Sequence, residues 1–413
     1  MVNTPKSLRL HIGLFGRRNV GKSSVLNALV KQQVSIISEQ AGTTTDPVEK
    51  VMELKPIGPV VFIDTAGVDD EGSLGKARMD KTAKILNRTE LAILVSDRWT
   101  DYENRLTASF GQKNIPFVLA ANKSDLRKDR SLEQAAKDIG VGFVITTNAL
   151  TGTGIDELRR AVIDATPQHY LSGSSIIADL VRPGRLVMLV TPIDIEAPKG
   201  RLKMLQVHCM REILDAGSFA MVVKETELPA ALARLKEQPS LIVTDSQVFN
   251  KCVSICPPEV KMTTFSILMA RFKGNFEELA KGTETIGSLK PNDKILIAEA
   301  CTHHPIGEDI GRVQIPNLLA EYAEGKLDVD VTAGRDFPDD LNRYKLIIHC
   351  GACVFNSREM LWRIEQARAA GVPITNYGMA ITYLQGDFAR AMEPLLSLHY
   401  LTSEKLRATA CPG

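Results

Sequence analysis

The first residues with recognisable chemistry form the octet at 16–23, which reads GRRNVGKS. It follows the apolar stretch LRLHIGLF and precedes the helical pattern SSVLNALVKQ, so we expect a strand to lead into it and a helix to follow it. Glycines let such a loop close around phosphate, with backbone N–H groups directed at the oxygens. Lys22 supplies a cation for the β- and γ-phosphates, and the Ser23 hydroxyl is suited to Mg²⁺. The octet therefore predicts a nucleoside triphosphate site.

Two further segments are suited to the metal ion and the terminal phosphate. The stretch GTTTD at 42–46 lies where a switch loop is expected, and Thr44 is the predicted Mg²⁺ ligand in it. The stretch DTAG at 64–67 follows the apolar VVFI, which places Asp64 at a strand end for a water-mediated contact with Mg²⁺. The N–H group of Gly67 is then expected to contact the γ-phosphate.

The stretch NKSD at 122–125 predicts which base is bound. The Asp125 carboxylate can accept hydrogen bonds from both the N1–H and the amino group of guanine, a pairing that adenine cannot offer. Paired polar contacts of this kind discriminate by ~10⁴-fold or more, so we predict GTP and GDP as ligands. The stretch TNALTG at 147–152 supports the base. The predicted nucleotide contacts are Gly16, Asn19, Val20, Gly21, Lys22, Ser23, Ser24, Asp64, Gly67, Asn122, Lys123, Asp125, Asn148 and Ala149.

These segments resemble the translation-factor-related GTPases, in particular the TrmE–Era–EngA-like branch, whose loops read G-x-x-N-x-G-K-S and G-T-T-R-D. Here Thr45 replaces that arginine, and Val68 stands where Ras-like enzymes place a water-orienting glutamine. The resemblance implies that Asn19 helps to hold a K⁺ ion that compensates charge in the transition state. We expect slow hydrolysis that is faster in K⁺ than in Na⁺. The predicted catalytic residues are Lys22, Asn19, Thr44 and Gly67.

A second group of reactive residues lies late in the chain, in the pattern C-x-H followed by H-C-x-x-C. Cys301 follows the apolar DKILIAEA and Cys350 follows YKLIIH, so both are expected at the carboxyl edge of a parallel sheet, where ligands gather. Cys353 precedes a predicted helix, whose N-terminus favours a thiolate. His303 and His349 accompany these thiols.

Spacing alone leaves several interpretations of the cysteines open. A thioredoxin-like dithiol needs only Cys350 and Cys353, and it predicts a redox-regulated GTPase that works without Cys301. A structural Zn²⁺ could use these three cysteines and His303 as a tetrahedral set. A 4Fe-4S cluster could use the three thiolates and leave its fourth iron site to a histidine, another donor or an exchangeable ligand. Packing of small buried side chains is the remaining alternative.

Composition limits the class of protein. A chain of 413 residues is too long for one ordinary core, so two or three domains are expected. Lys+Arg 50 and Asp+Glu 49 nearly cancel, which gives no global attraction to nucleic acid or anionic lipid. No apolar run approaches the ~18–20 residues of a membrane span. Seven cysteines without a secretory signal favour reduced thiols in the cytoplasm.

Apolar strands alternate with helical patterns along the whole chain, which predicts α/β architecture. We predict three domains: a P-loop GTPase domain at 1–170, and two smaller α/β domains with parallel sheets at 171–260 and 261–413. The pair Pro257-Pro258 marks the second border. Outside the two sites, Cys209, Cys252 and Cys256 are predicted to be packing residues, and the Arg17-Arg18 pair to be solvated.

The N-terminal GTPase motifs, the middle stretch VTPIDIEAPKGRL at 190–202 and the late CTH and HCGAC segments together resemble the HydF family, the GTPases of FeFe-hydrogenase maturation. The resemblance covers essentially the whole chain. It implies a 4Fe-4S cluster on Cys301, Cys350 and Cys353 with an exchangeable fourth position, and His303 and His349 are further candidate ligands. It also implies that residues 171–260 form a dimerisation domain and that residues 261–413 bind the cluster.

The same resemblance implies a function. The protein is expected to be a homodimeric scaffold that receives a diiron precursor as cargo from two radical-SAM maturases and passes it to apo-FeFe-hydrogenase. The alternative is a ribosome- or tRNA-processing GTPase with a structural zinc module. Near-neutral charge and the lack of a basic C-terminal RNA-binding signature weigh against that alternative, so neither nucleic acid nor membrane is an expected partner.

Overall fold

The computed structural model of the chain describes residues 4–31, 48–65, 82–126, 131–168, 170, 175–192, 202–301 and 309–396. The chain divides into two compact units, Met1–Ser174 and Ser175–Gly413. The candidate nucleotide residues lie in the first unit and the candidate cysteine site in the second.

The first unit is built on a six-stranded sheet in the order β2-β3-β1-β4-β5-β6. Neighbouring strands pair in parallel, except that β2 is antiparallel to β3. β1 and β4 are buried along their whole length, as strands covered on both faces are. The strands are β1 (Leu10–Phe15), β2 (Val48–Leu54), β3 (Gly58–Asp64), β4 (Leu91–Ser96), β5 (Phe117–Ala121) and β6 (Val144–Thr146).

Helices cover both faces of this sheet. They are α1 (Lys22–Lys31), α2 (Asp101–Gln112), α3 (Ser131–Asp138) and α4 (Ile155–Asp164). Leu91 and Ile93 of β4 pack in one apolar cluster with residues of α1 and α4. The alternate residues Ala92 and Leu94 pack in a second cluster with residues of α2 and α3. The alternation of side chains along a strand therefore gives the unit two cores, one on each side of the sheet.

The second unit contains two four-stranded sheets, in the orders β10-β9-β7-β8 and β12-β11-β13-β14. Every strand pair in both is parallel. The strands of the first of these sheets are β7 (Leu186–Val190), β8 (Phe219–Val223), β9 (Leu241–Thr244) and β10 (Lys261–Thr264). Those of the other are β11 (Lys294–Ala298), β12 (Asp328–Thr332), β13 (Leu346–His349) and β14 (Ile374–Asn376).

The helices of the second unit lie between and after these strands. They are α5 (Met204–Asp215), α6 (Leu228–Leu232), α7 (Phe249–Ile255), α8 (Phe265–Lys273), α9 (Phe276–Thr283), α10 (Ile315–Tyr322), α11 (Ser357–Ala369), α12 (Tyr377–Leu384) and α13 (Phe388–Leu396). Most connections run from strand to helix to parallel strand, which is the pattern predicted from the sequence.

The predicted fold class is confirmed: the chain is α/β, with a P-loop GTPase fold followed by two smaller parallel sheets. The three-domain boundaries remain a prediction. β10 pairs with β9, so residues 261–264 belong to the middle sheet although they lie beyond the border predicted at residue 260. Among the described residues, no helix is long and apolar enough to cross a bilayer.

Candidate functional site

The phosphate-binding loop runs from the end of β1 at Phe15 to the start of α1 at Lys22. Gly16 (φ 147°) and Gly21 (φ 95°) adopt backbone angles that other residues rarely adopt. A Cβ atom at Gly16 would collide with the Val95 carbonyl oxygen, and one at Gly21 with the Asn122 side chain. Both positions of the motif therefore require glycine, because the neighbouring atoms leave no space for a Cβ atom.

Lys22, Ser23 and Asp64 are brought together where β1 and β3 end. Leu14 pairs with Asp64 in the parallel register, so the carboxylate faces the start of α1. The Ser23 hydroxyl donates to Asp64 Oδ2 at 2.6 Å, and Asp64 Oδ1 is buried without a hydrogen-bond partner. The Lys22 ammonium donates to the carbonyl oxygens of Gly16 and Arg17 at 2.9 Å. A hydroxyl beside a carboxylate with an unused oxygen fits Mg²⁺.

The base-recognition segment is joined to the phosphate loop through Asn122, which is 2% exposed. Its Nδ2 donates to the Val20 carbonyl oxygen at 2.9 Å, and its Oδ1 accepts from the Ala149 N–H at 3.2 Å. Asn148 accepts from the N–H groups of Leu150 and Thr151, so it shapes its own loop. Asp125 is exposed beside this frame.

Arg17 was predicted to be a solvated charge, but its guanidinium is held by two carboxylates. Its Nε donates to Glu103 Oε1 at 3.0 Å, and its Nη2 donates to Asp97 Oδ1 at 3.0 Å. Glu103 is fully buried and also completes the N-terminal capping box of α2 with Thr100. Asp97 Oδ2 lies 3.3 Å from Lys123 Nζ, so Asp97 contacts both the phosphate loop and the base-recognition segment. Sequence reasoning missed Asp97 and Glu103, which belong to no short motif.

Several predicted residues lie outside the described part of the chain. These are Thr44, Gly67 and His303, together with Thr45 and Val68. The geometry of the switch loop, the γ-phosphate contact and the C-x-H segment therefore remain predictions. Asn19, the predicted K⁺ residue, is described: it is exposed and has a φ of 62°.

The cysteine site is built on the neighbouring strands β11 and β13. Ala298 pairs with His349, and the Cys350 N–H donates to the Ala298 carbonyl oxygen at 2.9 Å. The Ala300 N–H donates to Cys350 Sγ at 3.1 Å, which places Cys301, one residue further, at the same edge. Cys301 is partly exposed and Cys353 is exposed. The carboxyl ends of β11 and β13 therefore lie side by side, as the sequence predicts.

The chemistry of Cys350 is governed by burial and by backbone N–H groups. Burial raises the pKa of the Cys350 thiol to about 11, although hydrogen bonds from the backbone of Ala352 and Ala300 act in the opposite direction. Such N–H···S bonds stabilise a thiolate once a metal binds it. The nearby Cys353 thiol also raises this pKa. This donor set fits a thiolate-bound metal centre.

His349 supports the loop through both ring nitrogens and is fully buried. Nδ1 lies 2.8 Å from the Cys350 carbonyl oxygen, and Nε2 lies 3.0 Å from Arg363 Nη1. A carbonyl only accepts and a guanidinium only donates, so Nδ1–H donates and Nε2 accepts. Burial, with the Arg363 charge, lowers the pKa of His349 to about 3. In this arrangement neither ring nitrogen is directed at the thiols, in contrast to its prediction as a further ligand.

Arg363 is a buried residue that sequence reasoning missed. Its guanidinium lies 4.8 Å from the ring centroid of Phe337 and 4.5 Å from that of Phe355, and its Nη2 donates to the Gly334 carbonyl oxygen at 2.6 Å. Arg363 therefore orients the His349 ring through its hydrogen bond to Nε2. An arginine in the middle of an ordinary amphipathic helix gave no sequence signal for this role.

Within the described ranges, no group of three or more His, Cys, Asp or Glu side chains is arranged to hold a metal ion. A preformed zinc tetrahedron or closed three-thiolate site is thus not present among these residues, and the cluster remains a prediction. Cys209, Cys252 and Cys256 are buried as expected, and burial raises the pKa of Cys252 to about 12 and that of Cys256 to about 11.

Part of this chain is similar to bacterial GTPases. This chain is 32% identical over 187 residues to the tRNA modification GTPase MnmE of Bacillus mycoides. The matched region covers 42% of this chain and 40% of that protein. It is also 32% identical over 167 residues to GTPase Der of Wolinella succinogenes, a match that covers 37% of this chain and 35% of that protein. The chain thus spans about two fifths or less of the length of these relatives. The solved structure of Era from Aquifex aeolicus bound to GDP·AlF4⁻ matches with 19% identity over 52% of this chain and 91% of that one, with a TM-score of 0.33.

Family models match three consecutive parts of the chain. Residues 11–123 match a model described as 50S ribosome-binding GTPase. Residues 176–274 match the hydrogen maturase F dimerization domain, and residues 277–394 match the hydrogen maturase F tetramerization domain. The two maturase models follow the GTPase model along the chain, and so the chain belongs to the hydrogen maturase F family.

Proposed function

We propose that this protein hydrolyses GTP and carries a 4Fe-4S cluster on Cys301, Cys350 and Cys353. We further propose that it assembles the diiron precursor received from two radical-SAM maturases and transfers it to apo-FeFe-hydrogenase. The observation that carries the proposal is the pairing of β11 with β13, which brings Cys301 and Cys350 to one sheet edge. Membership in the hydrogen maturase F family supports the same function.

GTP hydrolysis would use the residues at the ends of β1 and β3. On nucleotide binding, the Lys22 ammonium exchanges the carbonyl oxygens of Gly16 and Arg17 for phosphate oxygens. Ser23 and Asp64, which share a hydrogen bond here, would hold Mg²⁺. Mg²⁺, when bound, neutralises charge on the β- and γ-phosphates. Thr44 and Gly67 are proposed to complete the contacts from outside the described residues.

Hydrolysis is proposed to depend on K⁺ through Asn19, which is exposed at the outer side of the phosphate loop. A K⁺ ion there would supply positive charge where the transition state becomes more negative, a kind of stabilisation worth roughly tenfold or more in rate. We expect faster turnover in KCl than in NaCl at equal ionic strength. Asn19→Ala should remove most of the difference. Equal rates of the wild-type protein in the two salts would contradict the proposal.

The cluster would be held by the three thiolates, and Ala300 and Ala352 would donate backbone hydrogen bonds to Cys350. A cluster with three protein thiolates has one iron site open to an exchangeable ligand. The site is suited to a carrier because Cys353 is exposed and Cys301 is partly exposed. Gly351, between the thiols, adds no side chain that would block access.

The proposed cluster is tested by anaerobic reconstitution with iron and sulfide. We expect about four iron and four sulfide per chain, a visible charge-transfer absorption and an electron paramagnetic resonance signal after reduction. Replacement of Cys301, Cys350 and Cys353 by Ser should abolish all three observations. Cys256→Ala is the matched control, because Cys256 is a buried cysteine outside the C-x-H and H-C-x-x-C segments. A colourless protein with one zinc, or a cluster that survives the triple replacement, would contradict the proposal.

Transfer is tested separately from cluster binding. Protein purified from cells that contain the two radical-SAM maturases is mixed with apo-FeFe-hydrogenase, and hydrogen evolution is measured. We expect activity with the wild-type protein and none with the triple serine variant. Hydrogen evolution that does not depend on the added protein would exclude the carrier function and leave the GTPase.

A further inference from the structure

Lys273, the last residue of α8, is buried beneath the cysteine loop, which we define as residues 350–355. Its side chain is 2% exposed. The ammonium donates to the carbonyl oxygens of Ala352 at 2.8 Å and Phe355 at 2.6 Å, and it lies 3.5 Å from that of Cys353. Lysines are almost never fully buried without polar partners, and an ammonium offers three N–H donors. Here one loop provides three acceptors.

The loop needs such support because its backbone is unusual. Ala352 has a φ of 52°, the left-handed region that non-glycine residues seldom adopt, and it is 2% exposed. The loop is fixed at its start by the hydrogen bond from the Cys350 N–H to Ala298. It is fixed at its end by Asn356, whose side chain caps α11. Lys273 holds the residues between these two points.

Lys273 can act as a fixed support because α8 is itself anchored. Arg271, two residues earlier, donates to both carboxylate oxygens of Asp179 at 2.7 Å and to the Ile176 carbonyl oxygen at 2.8 Å. Thr264 caps the other end of the helix. The helix follows β10 of the middle sheet, whereas the cysteines follow strands of the other sheet. The support of the loop therefore comes from outside the sheet that carries the thiols.

We propose that Lys273 is the positioning residue of the cysteine loop and limits the movement of Cys350 and Cys353, the two thiols of this loop that are proposed to bind the metal cluster. The part of this inference that concerns the cluster rests on the proposed function. The part that concerns the loop does not, because it follows from the hydrogen bonds to Ala352 and Phe355.

The test uses the reduced, metal-free full chain and measures alkylation of each cysteine by iodoacetamide with peptide mass spectrometry. In Lys273→Met, which keeps the stem and loses the donors, Cys350 should be alkylated about tenfold faster, because the loop opens more often. The rates of the buried Cys209 and Cys252 should not change. Lys281→Met, at an exposed position of α9, is the matched control and should behave as the wild type.

Lys273→Arg provides a rescue, since it restores a cation with several N–H donors. A cavity of about 10 Å³ bounded by Lys273, Met269, Met360 and Cys350 adjoins this side chain. We expect its Cys350 rate to return to within about threefold of the wild type. If Lys273→Met does not fold, as judged by circular dichroism, Lys273→Gln replaces it. The shorter amide cannot reach all three carbonyl groups, so the same increase at Cys350 is expected.

Reconstitution with iron and sulfide is run on the same variants. The reduced cluster of Lys273→Met should show an altered paramagnetic resonance signature, which Lys273→Arg should restore. Equal Cys350 alkylation in Lys273→Met and in the wild type, or equal acceleration at every buried cysteine, would overturn the inference. Failure of the wild-type protein to bind iron, together with accelerated alkylation in Lys273→Met, would instead refute the proposed function and leave the positioning role intact.

Discussion

Asp97 connects two parts of the nucleotide site that the sequence motifs treat as independent. One carboxylate oxygen accepts from Arg17 of the phosphate loop, and the other lies 3.3 Å from Lys123 of the base-recognition segment. Asn122 provides a second connection through the Val20 carbonyl oxygen. Short polar contacts therefore join the two loops. Phosphate binding and base binding are expected to be cooperative for this reason.

Base choice is predicted to depend on Asp125. In Asp125→Asn the side chain presents one acceptor and one donor, which no longer match guanine but match the additional carbonyl of xanthine. We expect the preference for GTP over xanthosine triphosphate to reverse, with a loss for GTP of about 10³-fold or more in kcat/KM. The measurement is steady-state hydrolysis of both nucleotides.

The control for this experiment is Asp138→Asn, which alters an exposed carboxylate at the end of α3 that accepts a hydrogen bond from Gln134 of the same helix. It should leave both rates unchanged. Undiminished selectivity for GTP in Asp125→Asn would refute the assignment of that carboxylate to guanine.

At the scale of residues, the motif positions were predictable and their supports were not. Gly16, Lys22 and Ser23 could be identified because phosphate binding requires those residue types at that spacing. Lys273 and Arg363 could not, because a buried cation on a helix has no distinctive spacing. Their roles depend on which loop the folded chain places beside them.

Among the elements, β2 shows how charge fixes an edge strand. Its residue Glu49 forms ion pairs with Lys6, which precedes β1, and with Arg88, which precedes β4. Burial alone would raise the pKa of Glu49, but the charges of Arg88 and Lys6 lower it to about 2. The folded state therefore stabilises the ionised form of the Glu49 carboxyl more than the unfolded state does.

The sign of the pH dependence follows from this lowered pKa. The stabilisation is present above the unfolded pKa of 4.5 and is lost as the pH falls from there towards 2. Glu49→Gln should lower the free energy of unfolding of the first unit by about 2–3 kcal/mol at pH 7. The difference from the wild type should shrink steadily below pH 4.5.

Urea unfolding followed by Trp99 fluorescence measures this difference, in a Trp362→Phe background so that only the first unit reports. Glu53→Gln, at an exposed position of the same strand, is the control and should have little effect at any pH. A Glu49→Gln difference that stays constant between pH 7 and pH 3 would show that the carboxylate's charge is not what stabilises β2.

The strands that the sequence predicted best are the buried ones. β1, β4, β11 and β13 are continuous apolar runs, which are typical of parallel strands covered on both faces. β2, β10 and β14 contain no such apolar run. β2 is an edge strand that mixes charged and apolar residues as VEKVMEL, and β10 and β14 are short and contain threonines. Their place in a sheet is decided by tertiary pairing, which local patterns do not record.

For the whole molecule, the family models indicate self-association, and the two sheets of the second unit differ in how they could support it. β8 and β12 are both edge strands. β12 carries Asp328 and Asp330, and charges of this kind discourage pairing with another strand. β8 reads FAMVV, and Phe219 is 63% exposed. We propose that β8 lies in the interface of a homodimer.

A dimer formed through β8 would depend on Phe219, because a large exposed apolar ring on an uncharged edge strand is stabilised by burial against a second copy. Full burial of such a side chain contributes about 1.5–3 kcal/mol, and a symmetric interface contains it twice. Phe219→Glu would place a carboxylate near its own symmetry mate, so we expect sedimentation velocity to detect a smaller species than the wild type forms. Ile139→Glu, a comparable exposed site in the first unit, should remain dimeric. If Phe219→Glu sediments as the wild type does, β8 is not an interface between copies of the chain.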